Sequence, residues 1–180
     1  LPGEGYSPSS LSATPSRLKR RGRRPPGGGR IGNLWRGTAM IRELQKDDIN
    51  KVADIWLDTN IKAHHFIPAQ YWKSNFESVK EALPYAEVYV YEHDREIQGF
   101  IGLNNEYIEG IFVSGEMQSK GIGKILLNYA KEKKHKLLLN VYQKNTGAIS
   151  FYQREGFEIR HSGLDEATGE KEYVMAWEQK

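Results

Sequence analysis

Ile111-Phe112-Val113-Ser114-Gly115-Glu116-Met117-Gln118-Ser119-Lys120-Gly121-Ile122-Gly123-Lys124 runs from a strand-like segment, through a glycine-containing turn, directly into the start of a helix. The first N–H groups of a helix have no internal partners and point outward with the positive end of the helix dipole. Gly121 and Gly123 carry no side chain that would keep a phosphate from those N–H groups, and Lys120 and Lys124 add positive charge beside them. Such a turn suits a diphosphate; the alternative is a glycine-rich turn without a ligand. Two other diphosphate patterns fail on spacing. A Walker A loop needs a glycine where Gln118 stands and Ser or Thr where Ile125 stands, and a dinucleotide fingerprint opening at Gly121 needs a glycine at Leu126.

Upstream of this stretch, 107–113 reads as a strand interrupted by Gly110, and a glycine inside a strand marks a bulge or a close backbone approach. Residues 88–91 and 97–103 form two further strands, joined by a short polar loop, His93-Asp94-Arg95. Two helices precede them. One is capped by Asp47 or Asp48 and carries Ile49, Val52, Ile55, Trp56 and Ile61 at helical spacing. The other, about 70–83, presents Tyr71, Phe76, Val79 and Leu83 and stops before Pro84. A short strand at 40–45 opens the series. Downstream, a helix at 121–134 puts Ile122, Ile125, Leu126 and Tyr129 on one side, followed by an apolar strand at 137–141, a helix at 145–155 and strands near 157–161 and 172–178. The order β-α-α-β-β-β-α-β-α-β-β predicts a mixed α/β (α+β) domain with helices covering a largely antiparallel sheet.

Gln118-x-x-Gly121-x-Gly123 resembles the coenzyme A motif, Q/R-x-x-G-x-G/A, of the GNAT acetyltransferases. Asn145-x-x-Ala148-x-x-Phe151-Tyr152-x-x-x-Gly156-Phe157 resembles the same family's second motif, in the family's order and with a helix and a strand between the two. The likeness in element order covers 40–180 and matches the small single-domain bacterial members. It implies the GNAT fold, with six or seven strands and about four helices, and acetyl-CoA as co-substrate. Backbone groups of Ile111, Phe112 and Val113 would hold the pantetheine arm. The turn Gln118, Ser119, Lys120, Gly121, Ile122, Gly123, with Lys124 beside it, would hold the pyrophosphate. Asn145 would meet the arm from across the cleft, and Tyr152 would protonate the departing thiolate. Spacing alone places Asn145, Ala148 and Tyr152 on one helix face. For Tyr152 the alternative is a core residue whose hydroxyl reaches water.

The chain has no cysteine, so an acyl-cysteine intermediate, disulfides and thiolate metal sites are excluded. An amine then attacks acetyl-CoA directly in a ternary complex, and it must be neutral to do so. At neutral pH that costs about 4–5 kcal/mol for a lysine but only about 1 kcal/mol for an α-amine. Glu109, on the strand that faces the cleft in this family, is the best candidate base, with Glu106 as a substitute and a plain solvated carboxylate as the alternative. The family's acceptors bind near the first two helices, where His64, His65 and Phe66 stand, with Tyr71, Trp72 and Tyr107 able to line a pocket or to form core. Each histidine serves either a structural hydrogen bond or acceptor contact. Being adjacent, the two cannot share a helix face, and no metal site is expected. The acceptor is a protein or peptide amine or a small-molecule amine. A non-catalytic acetyl-CoA-binding sensor is the competing function, and Tyr152 counts against it.

Charge is split unevenly along the chain. Residues 1–39 hold eight bases and one acid, a net of +7, whereas 40–180 holds 18 bases and 22 acids, a net of −4. Nucleic-acid binding is not expected of a folded part with that sign. The first 39 residues also hold five of the seven prolines and eight of the 18 glycines, and read as a disordered basic leader, non-native or tag-like, with Met40 as the native start. No secretory signal core is present, and no stretch is long and apolar enough to span a membrane. A cytoplasmic monomer or homodimer is the expectation.

Overall fold

The computed structural model describes residues 39–180, so the expected leader, apart from Ala39, lies outside the described residues. Seven strands and four helices follow the expected order: β1 (Ala39–Glu43), α1 (Ile49–Ala63), α2 (Ala69–Ala82), β2 (Glu87–His93), β3 (Glu96–Asn104), β4 (Tyr107–Val113), α3 (Ile122–Lys133), β5 (Lys136–Tyr142), α4 (Thr146–Arg154), β6 (Glu158–Leu164) and β7 (Lys171–Glu178). They form one sheet in the order β1-β2-β3-β4-β5-β7-β6. Every neighbouring pair is antiparallel except β4 with β5.

Helices cover both faces of the sheet. On one face Val52, Ile55 and Trp56 of α1 and Trp72 and Val79 of α2 pack against Val88, Val90, Phe100 and Phe112. On the other, Ile122, Leu126, Leu127 and Ala130 of α3 and Tyr152 of α4 pack against Ile101, Leu103, Ile108, Leu137, Leu139 and Met175. Trp72, absent from the expected apolar stripe of α2, is fully buried and meets Trp56 edge-on with ring centroids 5.9 Å apart. Truncating either indole to alanine would cost about 3–5 kcal/mol. Ile125, expected on the inner side of α3, is 43% exposed; Leu127 and Ala130 are buried there instead.

Local chemistry explains two junctions. The β2–β3 loop turns on Asp94 and Arg95, both at positive φ (53° and 66°), which is the type I′ hairpin signature. Asp48 precedes α1 as expected, yet its carboxylate makes no cap bond to that helix. It turns back to accept from the Gln45 N–H at 2.7 Å and from Arg42 at 2.6 Å, because an ion pair to a neighbouring strand competes with the helix end for the same oxygens.

Two features of β4 create the cleft. Gly102 pairs with Gly110 and Leu103 with Ile108, so Glu109 is an extra residue on β4, a bulge beside the glycine expected to mark one. In an unbroken strand Ile108 and Phe112 would face the same way; with the extra residue they pack into opposite cores. Secondly, the parallel ladder between β4 and β5 consists of a single pair, Tyr107 with Leu138, and beyond it the two strands part.

Candidate functional site

The ladder on the β3 side determines which β4 groups face this fork. Ser114 N–H donates to Gln98 O at 2.9 Å, and antiparallel alternation then directs the main-chain groups of Phe112 to Phe100. Ile111 and Val113 are left with their N–H and C=O groups directed toward β5. Of the three residues expected along the arm, Phe112 thus has its main chain on β3 and its ring stacked on Phe100, with centroids 4.8 Å apart. The Val113 carbonyl also accepts from Gln118 Nε2 at 3.1 Å, which ties the turn to the strand end.

Past Val113 the chain makes a short 3-10 turn at Gly115–Met117, and Ser119 and Gly121 take positive φ of 63° and 84°. Gly121 is the N-cap of α3, and no side chain caps this end. The N–H groups of Ile122, Gly123 and Lys124 therefore open a helix with no side-chain acceptor, the arrangement that holds anions. Gln118, Ser119 and Lys120 are exposed. Lys124 inclines to Glu155, with Nζ 3.8 Å from the carboxylate. A Cβ added at Gly115 would stand 3.5 Å from Lys62 Nζ, so a cation from α1, missed in the sequence, comes up to the same turn.

Tyr152 is 8% exposed and held between Phe151 and Phe157, at centroid distances of 5.1 and 5.4 Å. Burial raises its phenol pKa, so it stays protonated at neutral pH. Asn145 is the N-cap of α4: its Oδ1 accepts from the Ala148 N–H at 3.2 Å, and its Nδ2 lies 3.2 Å from His64 Nε2. Both ends of the amide expected to meet the arm are thus engaged within the protein.

On the acceptor side the two histidines separate. His64 is 4% exposed, stacked on Trp72 and edge-on to Tyr142, and burial lowers its pKa to about 4, so it is a neutral structural residue. His65 is exposed and meets the ring of Phe66. Phe66 is half-buried against Tyr142, and Trp72 belongs to the core. Glu109 is 2% exposed, which removes the solvated-carboxylate alternative.

Tyr107 leads to residues that sequence reasoning missed. Its Oη donates to Asn140 Oδ1 at 3.3 Å, and Asn140 Nδ2 donates to Glu172 Oε1 at 2.7 Å. Burial, with the charges of Glu109 and Glu172 added, raises the Tyr107 phenol pKa, against the main chain of Asn140. Burial also pushes Glu172 up to about 7, opposed by its bond from Asn140 and assisted by Asp165. Asp165 is fully buried and accepts from Tyr142 Oη at 2.6 Å, Thr168 Oγ1 at 2.9 Å and the Ala167 N–H at 3.0 Å. The signal was present: Asn140 is a polar residue inside a run of leucine and valine, where a side-chain partner is obligatory.

Comparison with known proteins places this geometry. Residues 84–159 match the model of the acetyltransferase (GNAT) domain. A peptidyl-lysine N-acetyltransferase of Escherichia coli, YiaC, is 34% identical over 140 residues, covering 77% of this chain and 96% of that protein. The solution structure of apo YjaB from Escherichia coli superposes with a TM-score of 0.71 at 23% identity, over 79% of this chain and 99% of that one. A PaiA N-acetyltransferase from Thermoplasma acidophilum, solved in complex with coenzyme A, gives 0.67 at 21% identity, over 78% and 99%. Among the described residues no helix is long and apolar enough to cross a membrane.

Proposed function

The chain belongs to the GNAT acetyltransferase family, and from that premise we propose that its acceptor is the side-chain amine of a peptidyl lysine. It is an acetyl-CoA-dependent N-acetyltransferase that moves the acetyl group to a primary amine. One observation carries the choice of lysine: a carboxylate, Glu109, buried at the β4 bulge beside the fork. An α-amine is largely competent at neutral pH without a base, whereas a lysine needs one, at about 4–5 kcal/mol. The name of the YiaC relative points the same way.

The substrate supplies a thioester carbonyl and a thiolate leaving group. The helix end at Ile122–Gly123–Lys124 holds the pyrophosphate, and the β4 edge at Ile111 and Val113 holds the arm, placing the thioester at the fork. Glu109 accepts the proton of the bound ammonium, and the neutral nitrogen attacks the carbonyl carbon. As the C–S bond breaks, the Tyr152 hydroxyl donates its proton to sulfur; the nitrogen, which carries two hydrogens after attack, releases the second to water, and Tyr152 regains one from solvent. Lys62, ion-paired with Asp58 at 2.9 Å, stands beside the same turn. His65 and Phe66 form the outer rim met by the peptide. We place the enzyme in the cytoplasm, where acetyl-CoA and lysine-bearing proteins meet, and assign no nucleic-acid partner.

The test is acetyl-CoA turnover on peptides offering either one lysine or only a free α-amine, read by CoA release and mass of the product. Acetylated lysine is expected; acetylation confined to the α-amine overturns the assignment.

A further inference from the structure

Tyr107, Asn140 and Glu172 lie on β4, β5 and β7, three adjacent strands, with Tyr107 in the last bridged pair before the fork. Their hydrogen bonds have an enforced direction. An ionised carboxylate only accepts, so the Asn140 amide must turn its nitrogen to Glu172, and its oxygen must then face Tyr107. The phenol O–H is committed to that oxygen. A phenol oxygen keeps two lone pairs, and after the main-chain contact with Asn140 one remains.

We propose that Glu172 is a positioning residue: by directing the Asn140–Tyr107 pair it makes the Tyr107 oxygen a hydrogen-bond acceptor that orients the attacking amine, an inference that rests on the acetyltransferase assignment above. A lone pair held beside the fork takes one N–H of the acceptor nitrogen and leaves the nitrogen lone pair directed at the carbonyl carbon. The arrangement accounts for a carboxylate that is 4% exposed and whose Oε2 has no hydrogen-bond partner among the described residues, a costly placement for a residue with no task. When Glu172 is protonated, its O–H can donate to Asn140, the amide turns over, and the nitrogen then faces Tyr107 and takes up the lone pair.

The groups facing this chain are few. Asp165 approaches Glu172 from the β6–β7 turn, and Glu109 and Tyr152 act on Tyr107 from β4 and α4. Tyr142 of β5 is bonded to Asp165, and His64, neutral, packs on Tyr142 from the α1–α2 loop. Burial pushes Glu172 up to about 7, within the range where its charge changes near neutral pH.

A double-mutant cycle on the full chain tests the inference, with acetyl-CoA and a lysine peptide as substrates and acetyl-CoA affinity measured by calorimetry. Glu172→Gln leaves the amide free to adopt either direction, so at about pH 8 kcat/KM for the peptide falls about tenfold. Acetyl-CoA affinity is unchanged. Below about pH 6 the wild-type advantage shrinks toward unity, because Glu172 is itself protonated there. In the Tyr107→Phe background, adding Glu172→Gln changes kcat/KM by no more than about twofold. A tenfold loss persisting in that background, or an advantage that does not vary with pH, overturns the inference while the enzyme assignment stands. A wild-type chain that binds acetyl-CoA but acetylates no lysine peptide overturns both.

Discussion

On the proposed reading, the two sides of the fork recognise their substrates by different means. On the proposed coenzyme side the groups at hand are main-chain N–H and C=O: the uncapped start of α3 and the outer edge of β4 at Ile111 and Val113. Gly121 and Gly123 carry no side chain there, and those of Gln118, Ser119 and Lys120 are exposed. On the proposed acceptor side the groups are side chains joined in bonded chains, Tyr107–Asn140–Glu172 and Tyr142–Asp165–Thr168, with His64 and Asn145 joined beside them. Main-chain recognition tolerates most side-chain changes but not added bulk. Side-chain networks tolerate few changes, and Glu172 and His64 make these respond to pH.

That contrast is broken most sharply by adding bulk to the first side. A Cβ at Gly123 would meet Phe151 at 3.6 Å, an ordinary contact, so Gly123→Val folds. Its branched methyl groups stand where phosphate approaches the helix N–H groups, and acetyl-CoA affinity should drop beyond calorimetric detection, at least about 10³-fold. Normal binding would remove the turn from the site.

Next in size is Tyr152→Phe. Only a hydroxyl is lost between Phe151 and Phe157, so stability and acetyl-CoA affinity hold within a few-fold while kcat falls about 10²–10³-fold. A raised KM with unchanged kcat would move the residue from proton transfer to ground-state binding.

Glu109→Gln separates acceptors. Turnover of a lysine peptide should fall about 10²-fold, whereas an α-amine peptide, which needs little deprotonation, should lose less than about fivefold. Equal losses would make Glu109 a structural group.

The smallest effect is on stability against pH. Burial holds His64 at about 4 instead of 6.5, so the unfolded chain takes up a proton that the folded chain refuses. Stability from neutral His64 is complete above 6.5 and is lost as pH falls toward 4. Glu172, raised from 4.5 to about 7, acts in the opposite sense: its contribution is present below 4.5 and is lost as pH rises through 7. The two slopes oppose each other, and His64→Gln should remove the first, of the order of 1 kcal/mol per pH unit. Urea midpoints between these limits should then rise on acidification. A midpoint that still falls steeply would show that His64 is not the buried neutral base described.

The same contrast explains what was legible in the sequence. Periodicity and turn chemistry placed every element, because amphipathic stripes such as Val52–Ile55–Trp56 and the apolar strand 137–141 express burial directly. The turn at 118–123 was legible because a strand-to-helix turn with an uncapped helix start leaves its mark as glycine spacing. The acceptor side was not, because its bonds join residues 33 and 32 positions apart, Tyr107 to Asn140 and Asn140 to Glu172, and no local pattern encodes such pairings. Asp48 shows the same limit at a helix end: locally a cap, it is drawn off by Arg42. Asn145 reads as a ligand contact from its motif, and only the fold shows that His64 stands against it.

The single bridged pair between β4 and β5 leaves the sheet unfinished, a seam between its two halves with polar main-chain edges that a further extended strand would mend. On the proposed placement an extended amide-bearing arm along Ile111 and Val113 acts as that strand, which makes occupancy and cohesion one equilibrium. At one hundred times its Kd such a ligand adds about 2.7 kcal/mol to the free energy of unfolding. A melting temperature that rises with acetyl-CoA, and amide exchange at the seam that slows with it, are the expected outcomes of that placement.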